Sequence, residues 1–298
     1  MTNTQTGLLG DKPVQRIGYG AMQLAGPGVF GPPRDPDGAR AVLRRAVELG
    51  VDHIDTAQFY GPDVTNELIR SALHPYPAEL RLVTKIGARR DAQGAWLPAL
   101  APAELRSAVE DNLRSLAIER IDLVNLRVFA PEGEVLGAPT AEQLGTLADL
   151  RDEGKLDLIG VSNTTRAGAQ LALDLVGTLG EVQNPYSLLD RSDDATIAFC
   201  EQHGIAYVPY FPLGSAFTGG PARIAADPLI GRVAAKHAAT PTQVALAWLL
   251  HRSERILLIP GTSSVAHLEE NLGAAAVVLD ADDMATLAAV EQAGTPYS

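Results

Sequence analysis

Cysteine is almost absent from this chain of 298 residues, which contains only Cys200. An intrachain disulfide and a cysteine-rich metal site are therefore excluded. The six histidines are scattered without the spacing of metal ligands, so no metal site is predicted either. Cys200 lies in the helical run 195–200, where we interpret it as a small buried hydrophobic residue.

Basic residues are too few to balance the acidic ones. The chain has 24 Lys and Arg against 36 Asp and Glu, a formal net charge of −12. Binding of nucleic acid or of an anionic membrane through overall charge is therefore not expected. An anionic ligand would have to be held by local features such as helix N-termini.

Long hydrophobic runs are missing as well. No apolar run approaches the about 18 residues that span a bilayer, and residues 244–250 form one of the longest. The first 11 residues are polar and contain no apolar core of a secretory signal. We therefore expect a protein of the cytoplasm that does not bind membranes.

Short β-rich runs alternate with amphipathic helical stretches along the whole chain. Several strand candidates are almost wholly apolar, as expected for parallel strands covered on both faces. Eight strand–helix units predict an α/β fold, a (β/α)8 TIM barrel, as one domain over residues 1–298. The strand candidates are residues 16–19, 51–55, 82–85, 121–127, 157–161, 181–183, 205–209 and 256–259, and the helix candidates are 39–47, 64–73, 105–116, 141–153, 165–176, 193–203, 241–252 and a C-terminal 281–290.

A doubly wound dinucleotide-binding fold is the weaker alternative. Its fingerprint requires Gly-x-Gly-x-x-Gly after the first strand. Gly18 and Gly20 supply two glycines, but Gln23 occupies the third place.

Residues 7–13 predict an N-terminal β-hairpin that could close the barrel floor, and the Gly/Pro-rich segments 26–37 and 213–227 predict long loops at the opposite end.

Asp55, Tyr60 and Lys85 follow two neighbouring predicted strands and indicate chemistry most strongly. A tyrosine in a simple peptide titrates near ~10. A neighbouring lysine cation would lower that pKa, and a carboxylate would keep the lysine charged. Such an acid suits the reduction of an aldehyde or ketone by hydride. Taken one at a time, Asp55 would be interpreted as a helix cap, Tyr60 as a turn aromatic and Lys85 as a solvated cation. Taken together, the three residues favour a catalytic function.

Six segments in this order make the chain resemble the aldo-keto reductases along nearly its full length. Any one of these short segments is a weak match, but six in register on a predicted barrel are highly specific. The segments are Asp55-Thr56-Ala57 with Tyr60-Gly61, Lys85, Gly160-Val161-Ser162-Asn163, Gln183-Asn184, Tyr210-Phe211-Pro212-Leu213-Gly214, and Ile259-Pro260-Gly261-Thr262-Ser263-Ser264 followed by Glu270-Asn271.

The resemblance implies a nicotinamide cofactor extended across the mouth of the barrel. Its carboxamide would be held by Ser162, Asn163 and Gln183, and its ring would stack on Tyr210. Further cofactor contacts are implied for Gly20, Ala21, Met22, Asp55, Phe211, Pro212, Leu213, Gly214, Ile259, Pro260, Gly261, Thr262, Ser263, Ser264, His267, Glu270 and Asn271.

Two departures from the family pattern concern fixed charges. Arg127 stands where the family has its catalytic histidine; it cannot lose its proton, but it can stabilise a developing alkoxide. We favour that role over an arginine paired with a carboxylate, and expect Tyr60 alone to supply the proton. In many relatives a Lys or Arg next to the Pro260-Gly261 equivalent binds the cofactor 2′-phosphate. Here that cation is missing, and the groups on offer are hydroxyls and backbone N–H groups at a helix start, from Gly261, Thr262, Ser263 and Ser264, with His267 one turn further on. No acidic residue lies there to accept a hydrogen bond from the ribose 2′-hydroxyl of NADH, so NADPH is favoured over NADH.

Residues 18–35, 87–90, 124–127 and 257–264 look in particular like the bacterial pyridoxal reductases. The implied reaction is NADPH-dependent reduction of pyridoxal to pyridoxine in vitamin B6 salvage. Trp96 could stack on a pyridine ring or pin its loop, and Arg89 and Arg90 could approach the substrate or be solvated. A broad aldehyde and ketone reductase, or a non-catalytic cofactor-binding partner protein, remains an alternative. Other pocket candidates are Met22, Gln23, Phe30, Phe59 and Phe129.

Overall fold

The computed structural model describes residues 6–132, 134–215 and 218–292. Its main sheet consists of seven parallel strands that curve around a common axis. The strands are β1 (Thr6–Leu9), β2 (Lys12–Gln15), β3 (Tyr19–Gly20), β4 (His53–Asp55), β5 (Arg81–Ile86), β6 (Ala88–Arg90), β7 (Trp96–Pro98), β8 (Ile121–Arg127), β9 (Leu156–Ser162), β10 (Glu181–Gln183) and β11 (Ala206–Tyr207). Spatially, the main sheet runs β11-β10-β9-β8-β5-β4-β3, and β1–β2 and β6–β7 are separate antiparallel hairpins.

Helices follow the barrel strands and cover the outside of the sheet. Many start at side-chain caps; the Thr240 hydroxyl, for example, accepts from the Gln243 amide at 3.2 Å. The helices are α1 (Pro36–Glu48), α2 (Val64–Leu73), α3 (Pro102–Leu116), α4 (Ala141–Asp152), α5 (Arg166–Val176), α6 (Asp194–His203), α7 (Gly220–Ala226), α8 (Pro228–Lys236), α9 (Pro241–Arg252), α10 (Val265–Gly273) and α11 (Ala281–Ala288), with short 3-10 turns at Ala21–Leu24, Pro27–Val29 and Ala274–Ala276.

The barrel closes through residues 256–259, which lie between β11 and the segment before β3. The Leu257 amide donates to the Tyr207 carbonyl at 3.0 Å, and the Leu258 amide donates to the Arg16 carbonyl at 2.8 Å. The Gly18 amide in turn donates a hydrogen bond to the Leu258 carbonyl at 2.8 Å, so the two edges of the sheet meet. The predicted (β/α)8 barrel is confirmed.

The hairpin β1–β2 closes the amino-terminal end of the barrel, as the sequence predicts. Leu9 and Val14 are about 1% exposed and pack on inward-facing side chains of the barrel strands. This apolar layer consists of Leu9, Val14, Val83, Leu123, Ala206, Val208, Leu257 and Ile259. This layer forms the barrel floor, and the polar side chains lie above it, nearer the carboxyl ends of the strands.

The structure corrects several predicted elements. The strand expected at 16–19 is reduced to β3 at Tyr19–Gly20, and before it Ile17 pairs with Leu258 through a single isolated bridge. The expected loop 213–227 contains α7, and α8 and the β6–β7 hairpin were not predicted. The helix start expected at residues 261–264 is confirmed, since Ser264 caps α10. The dipeptide Asp227-Pro228, which breaks many helices, starts α8 here: the Asp227 carboxylate accepts from the Leu229 amide at 2.8 Å.

Across the described ranges, no helix combines the length and apolar character that crossing a membrane requires.

Candidate active site

A cavity of about 520 Å³ opens at the carboxyl ends of the barrel strands and brings most predicted site residues together. Asp55, Tyr60, Lys85 and Arg127 all line it. The other predicted residues in its lining are Gly20, Met22, Gln23, Trp96, Asn163, Gln183, Tyr210, Phe211, Pro212, Leu213, Gly214, Ile259, Pro260 and Gly261. Gly20 and Gly261, from opposite ends of the barrel sequence, thus meet at one end of the barrel.

Strand register positions the charged residues. Asp55 ends β4 and pairs with Val83 of β5, so Lys85 lies two residues further along on the same inward-facing side. Arg127 ends β8 and pairs with Ser162 at the end of β9. These side chains reach the cavity because parallel strands of a barrel end at the same face.

The loop after β4 is held rigidly, and this fixes Tyr60. The Tyr60 amide donates to the Ala57 carbonyl at 3.0 Å, and the Thr65 amide donates to the Tyr60 carbonyl at 3.2 Å. The Thr56 hydroxyl donates to the buried Asn66 side chain at 2.8 Å. The Phe59 ring packs edge-on against the Tyr60 ring, with centroids 5.4 Å apart.

Lys85 and Asp55 form a buried ion pair beside Tyr60. Both side chains are 5% exposed, and the Lys85 ammonium also donates to the Thr56 carbonyl at 3.2 Å. Its nitrogen lies 5.3 Å from the centre of the Tyr60 ring. Burial alone lowers the pKa of Lys85, but Asp55 and Tyr60 together outweigh burial and raise it. Lys85 is therefore a fixed cation at neutral pH.

The pKa of Tyr60 differs from the sequence-based expectation. Burial raises the pKa of Tyr60, and the nearby Asp55 carboxylate raises it further. Lys85 and Arg127 act in the opposite direction but do not outweigh burial. The prediction of a net lowered pKa is therefore wrong for the protein by itself, since sequence alone did not show how completely the phenol is buried.

Arg127 lies in the cavity wall next to aromatic rings. Its guanidinium carbon is 5.7 Å from the ring centres of both Trp96 and Phe129. Among the described residues no carboxylate lies within ion-pair distance of Arg127, and its buried Nε atom has no hydrogen-bond partner there. The alternative of an arginine neutralised by a carboxylate finds no support in this part of the chain.

Two buried polar atoms fit the carboxamide of a nicotinamide cofactor. Within the described ranges, the Ser162 hydroxyl and the Gln183 side-chain oxygen have no hydrogen-bond partner. A carboxamide carries both a donor and an acceptor and could satisfy the two atoms. The Asn163 side chain is already engaged, since its oxygen accepts from the Tyr210 hydroxyl at 2.9 Å and its nitrogen donates to the Val128 carbonyl at 3.1 Å.

Other predicted residues lie outside the cavity lining. Ala21, Ser162, Thr262 and Asn271 are buried, and Ser263 lines an adjoining cavity that also reaches Met22 and Gln23. Ser264 caps α10 by accepting from the His267 amide at 3.4 Å. The Glu270 carboxylate accepts from the Thr240 hydroxyl at 2.6 Å, which ties α10 to α9.

Several predicted aromatic and arginine residues pack behind or beside the cavity wall and do not line the cavity. Phe59 is 2% exposed and packs against Tyr60 and Trp96. Phe30 lies under the Arg90 guanidinium, 5.3 Å from its carbon. Arg90 donates to the carbonyls of Gly28, Val29 and Gly94 and does not line the cavity, and neither does Arg89.

Four lining residues were not predicted: Ala130, Glu134, Val135 and Pro221. The first three follow β8 in the loop directly after Arg127, so the position of that loop at the carboxyl end of a strand was the available signal. Pro221 begins α7, which lies in a segment predicted as loop.

The model of the Aldo/keto reductase family matches residues 16–292, and the chain belongs to this family. It is therefore an oxidoreductase of a family that uses nicotinamide cofactors and acts on small carbonyl compounds. Pyridoxine 4-dehydrogenase of Escherichia coli (strain K12) is 52% identical over 286 residues, which cover 96% of this chain and 98% of that protein.

Solved structures agree with the barrel. A thermostable aldo-keto reductase in complex with the inhibitor epalrestat is 28% identical, covers 95% of this chain and 98% of its own, and superposes with a TM-score of 0.78. An aldo/keto reductase from Klebsiella pneumoniae in complex with NADP and acetate is 23% identical over 99% of this chain and 98% of its own, with a TM-score of 0.77. The second likeness concerns the fold alone.

Proposed function

We propose that the protein reduces pyridoxal to pyridoxine with NADPH. The observation that carries this proposal is the buried Lys85–Asp55 pair beside Tyr60, in one cavity with the Arg127 cation and with Gln183. The relative named Pyridoxine 4-dehydrogenase, 52% identical to this chain, supports the choice of substrate. Reduction of pyridoxal at its aldehyde is the reverse of an oxidation of pyridoxine at that carbon.

The side chains of the cavity supply the proton and the charge that such a reduction needs. When bound, the reduced nicotinamide provides the hydride for the carbonyl carbon. Tyr60 gives its hydroxyl proton to the carbonyl oxygen, and Lys85, kept charged by Asp55, stabilises the resulting phenolate. Arg127 stabilises negative charge that develops on the oxygen. The product is the alcohol, and Tyr60 regains a proton from solvent.

The remaining proposed contacts orient the cofactor and the substrate. Ser162 and Gln183 hold the carboxamide and Tyr210 contacts the nicotinamide ring, while Ser263, Ser264 and His267 are the groups available to a 2′-phosphate. Trp96 offers an aromatic face to the pyridine ring, being 36% exposed and part of the lining. Glu134 also lines the cavity, and its negative charge disfavours a phosphorylated aldehyde.

Steady-state kinetics with pyridoxal, pyridoxal phosphate and simple aldehydes, each with NADPH and NADH, test this proposal. We expect kcat/KM for pyridoxal with NADPH to exceed that of every other pair by about tenfold or more, equivalent to about 1.4 kcal/mol in the transition state. Similar values for many aldehydes would instead identify a broad carbonyl reductase. Cofactor binding without turnover of any aldehyde would identify a non-catalytic partner protein.

We also propose that residues 1–298 act as one domain in the cytoplasm. The barrel strands come from the whole length of the chain, which supports one cooperative unit. A cytoplasmic location suits a reaction that consumes a reduced nicotinamide cofactor, because that cofactor is regenerated inside the cell.

A further inference from the structure

A third carboxyl group, Glu181, lies inside the barrel beneath the proposed cofactor site. The residue is 2% exposed and begins β10, two positions before Gln183, so both side chains point into the barrel. It lies next to the apolar floor layer, because its register partner on β11 is Ala206. Neither the family motifs nor the proposed chemistry assigns a role to this carboxyl group.

Hydrogen bonds connect Glu181 to the catalytic charges through one amide. The Gln183 side-chain nitrogen donates to Glu181 Oε1 at 3.2 Å and to Asp55 Oδ2 at 3.0 Å. Asn125 donates to the same Glu181 oxygen at 2.6 Å. The charged groups that act on Glu181 are Asp55 from β4 and Lys85 from β5.

The two carboxyl groups decide which way the Gln183 amide is turned. Its nitrogen lies between Asp55 and Glu181 and donates one hydrogen to each. The reverse orientation would place the amide oxygen against the Asp55 carboxylate, which pairs with Lys85 and has no hydrogen to donate. The amide oxygen must therefore face away from them, and within the described ranges this buried oxygen has no partner.

The neighbouring strand β9 leaves room for this arrangement. Gly160 of β9 pairs with Asn125 of β8, and a Cβ atom at Gly160 would lie 2.2 Å from the Asn125 side-chain oxygen and 3.1 Å from Cγ of Glu181. A side chain at this position would displace the Asn125–Glu181 pair. The missing Cβ thus allows two polar side chains to fill the middle of the barrel.

We propose that Glu181 is a positioning residue that holds the Gln183 amide with its oxygen towards the carboxamide nitrogen of the cofactor. The inference rests on the proposed function, in which Gln183 contacts that carboxamide. Asp55 alone can accept only one of the two amide hydrogens of Gln183, so a second acceptor is needed to fix the rotation of the side chain. Glu181 supplies that acceptor from below.

The test compares NADP+ with its 3-acetylpyridine analogue, in which a methyl group replaces the carboxamide nitrogen. Dissociation constants are measured by quenching of tryptophan fluorescence. We expect the wild-type protein to prefer NADP+ by about tenfold, the effect of one buried hydrogen bond. Glu181→Met should bind both compounds within about twofold of each other. Glu181→Gln keeps an oxygen acceptor and should retain the preference.

Asp283→Asn provides a matched control for the loss of a buried carboxylate. Asp283 is 3% exposed, accepts from His237 at 2.7 Å and lies outside the cavity lining. This variant should keep the tenfold preference even if it is less stable. A wild-type preference that persists in Glu181→Met would overturn the role of Glu181 and leave the proposed function intact. Failure of the wild-type protein to bind either compound would instead contradict the proposed function.

If Glu181→Met does not fold, a crystal structure of the wild-type protein with NADP+ decides the question. The inference requires the Gln183 nitrogen to stay within hydrogen-bond distance of Glu181 while its oxygen meets the carboxamide nitrogen. A Gln183 side chain turned away from Glu181 in the complex would contradict it.

Discussion

The Tyr60 hydroxyl experiences opposing influences from its surroundings. Burial and Asp55 raise its pKa, whereas Lys85 and Arg127 lower it, and the net direction is upward. A raised pKa keeps the proton on Tyr60 at neutral pH, which is the form that a reduction consumes. In the proposed reaction, Lys85 then stabilises the phenolate that remains after proton transfer.

Replacing Tyr60 by Phe should abolish catalysis without loss of cofactor binding. Because the variant lacks only the hydroxyl of the proposed proton donor, we expect kcat for aldehyde reduction to fall by about 10²- to 10⁴-fold. The dissociation constant of NADP+ should stay within about twofold, since the ring still fills its place against Phe59. Stopped-flow kinetics and fluorescence titration measure the two quantities. Retained turnover would remove Tyr60 from the role of acid.

Glu181 should make stability depend on pH near neutrality. Burial, followed by the Asp55 charge, raises the pKa of Glu181 from 4.5 to about 7. The folded protein therefore holds this proton more tightly than the unfolded chain does. The associated stability is complete below about 4.5 and is lost as the pH rises through about 7.

Glu181→Gln should accordingly stabilise the protein more at pH 8 than at pH 5. The variant cannot ionise, so its gain over wild type should grow between these values, by on the order of 1–3 kcal/mol. Urea unfolding of both proteins at a series of pH values measures the difference. A gain that is the same at pH 5 and pH 8 would show that Glu181 does not titrate in this range.

At the level of elements, the β1–β2 hairpin contributes to stability and not to chemistry. Leu9 is 1% exposed in the apolar layer at the barrel floor, whereas the adjacent Leu8 is 42% exposed. Leu9→Ala should cost about 2–5 kcal/mol of unfolding free energy, and Leu8→Ala less than about 0.5 kcal/mol. Urea denaturation measures both. Equal effects would mean that the hairpin does not form the floor.

The same elements show how far the sequence could be interpreted. Helices α2 and α9 have the predicted bounds, because apolar periodicity, caps and breakers agree there. The β6–β7 hairpin was missed because some of the bonds that hold it come from outside it. Arg90 fixes it to the carbonyls of Gly28 and Val29, about 60 residues earlier in the chain. No local pattern records such bonds.

For the whole molecule, the cofactor should act as a stabilising ligand. NADPH at a concentration of 100 times its dissociation constant should add about 2.7 kcal/mol to the free energy of unfolding. NADH at the same concentration should raise Tm less, since it lacks the 2′-phosphate. Thermal unfolding followed by circular dichroism measures both shifts. Equal shifts would contradict the proposed preference for NADPH.

The sequence by itself determined the alternation of strands and helices, the family, and the identity of Asp55, Tyr60, Lys85 and Arg127 as the residues to place in one site. These follow from local periodicity and short motifs. Only the tertiary structure decided their electrostatics: the raised pKa of Tyr60, the absence of a carboxylate partner for Arg127 among the described residues, and the position of Glu181 under Gln183. The physical reason is that burial and hydrogen bonding depend on neighbours from distant strands, which meet only when the barrel closes.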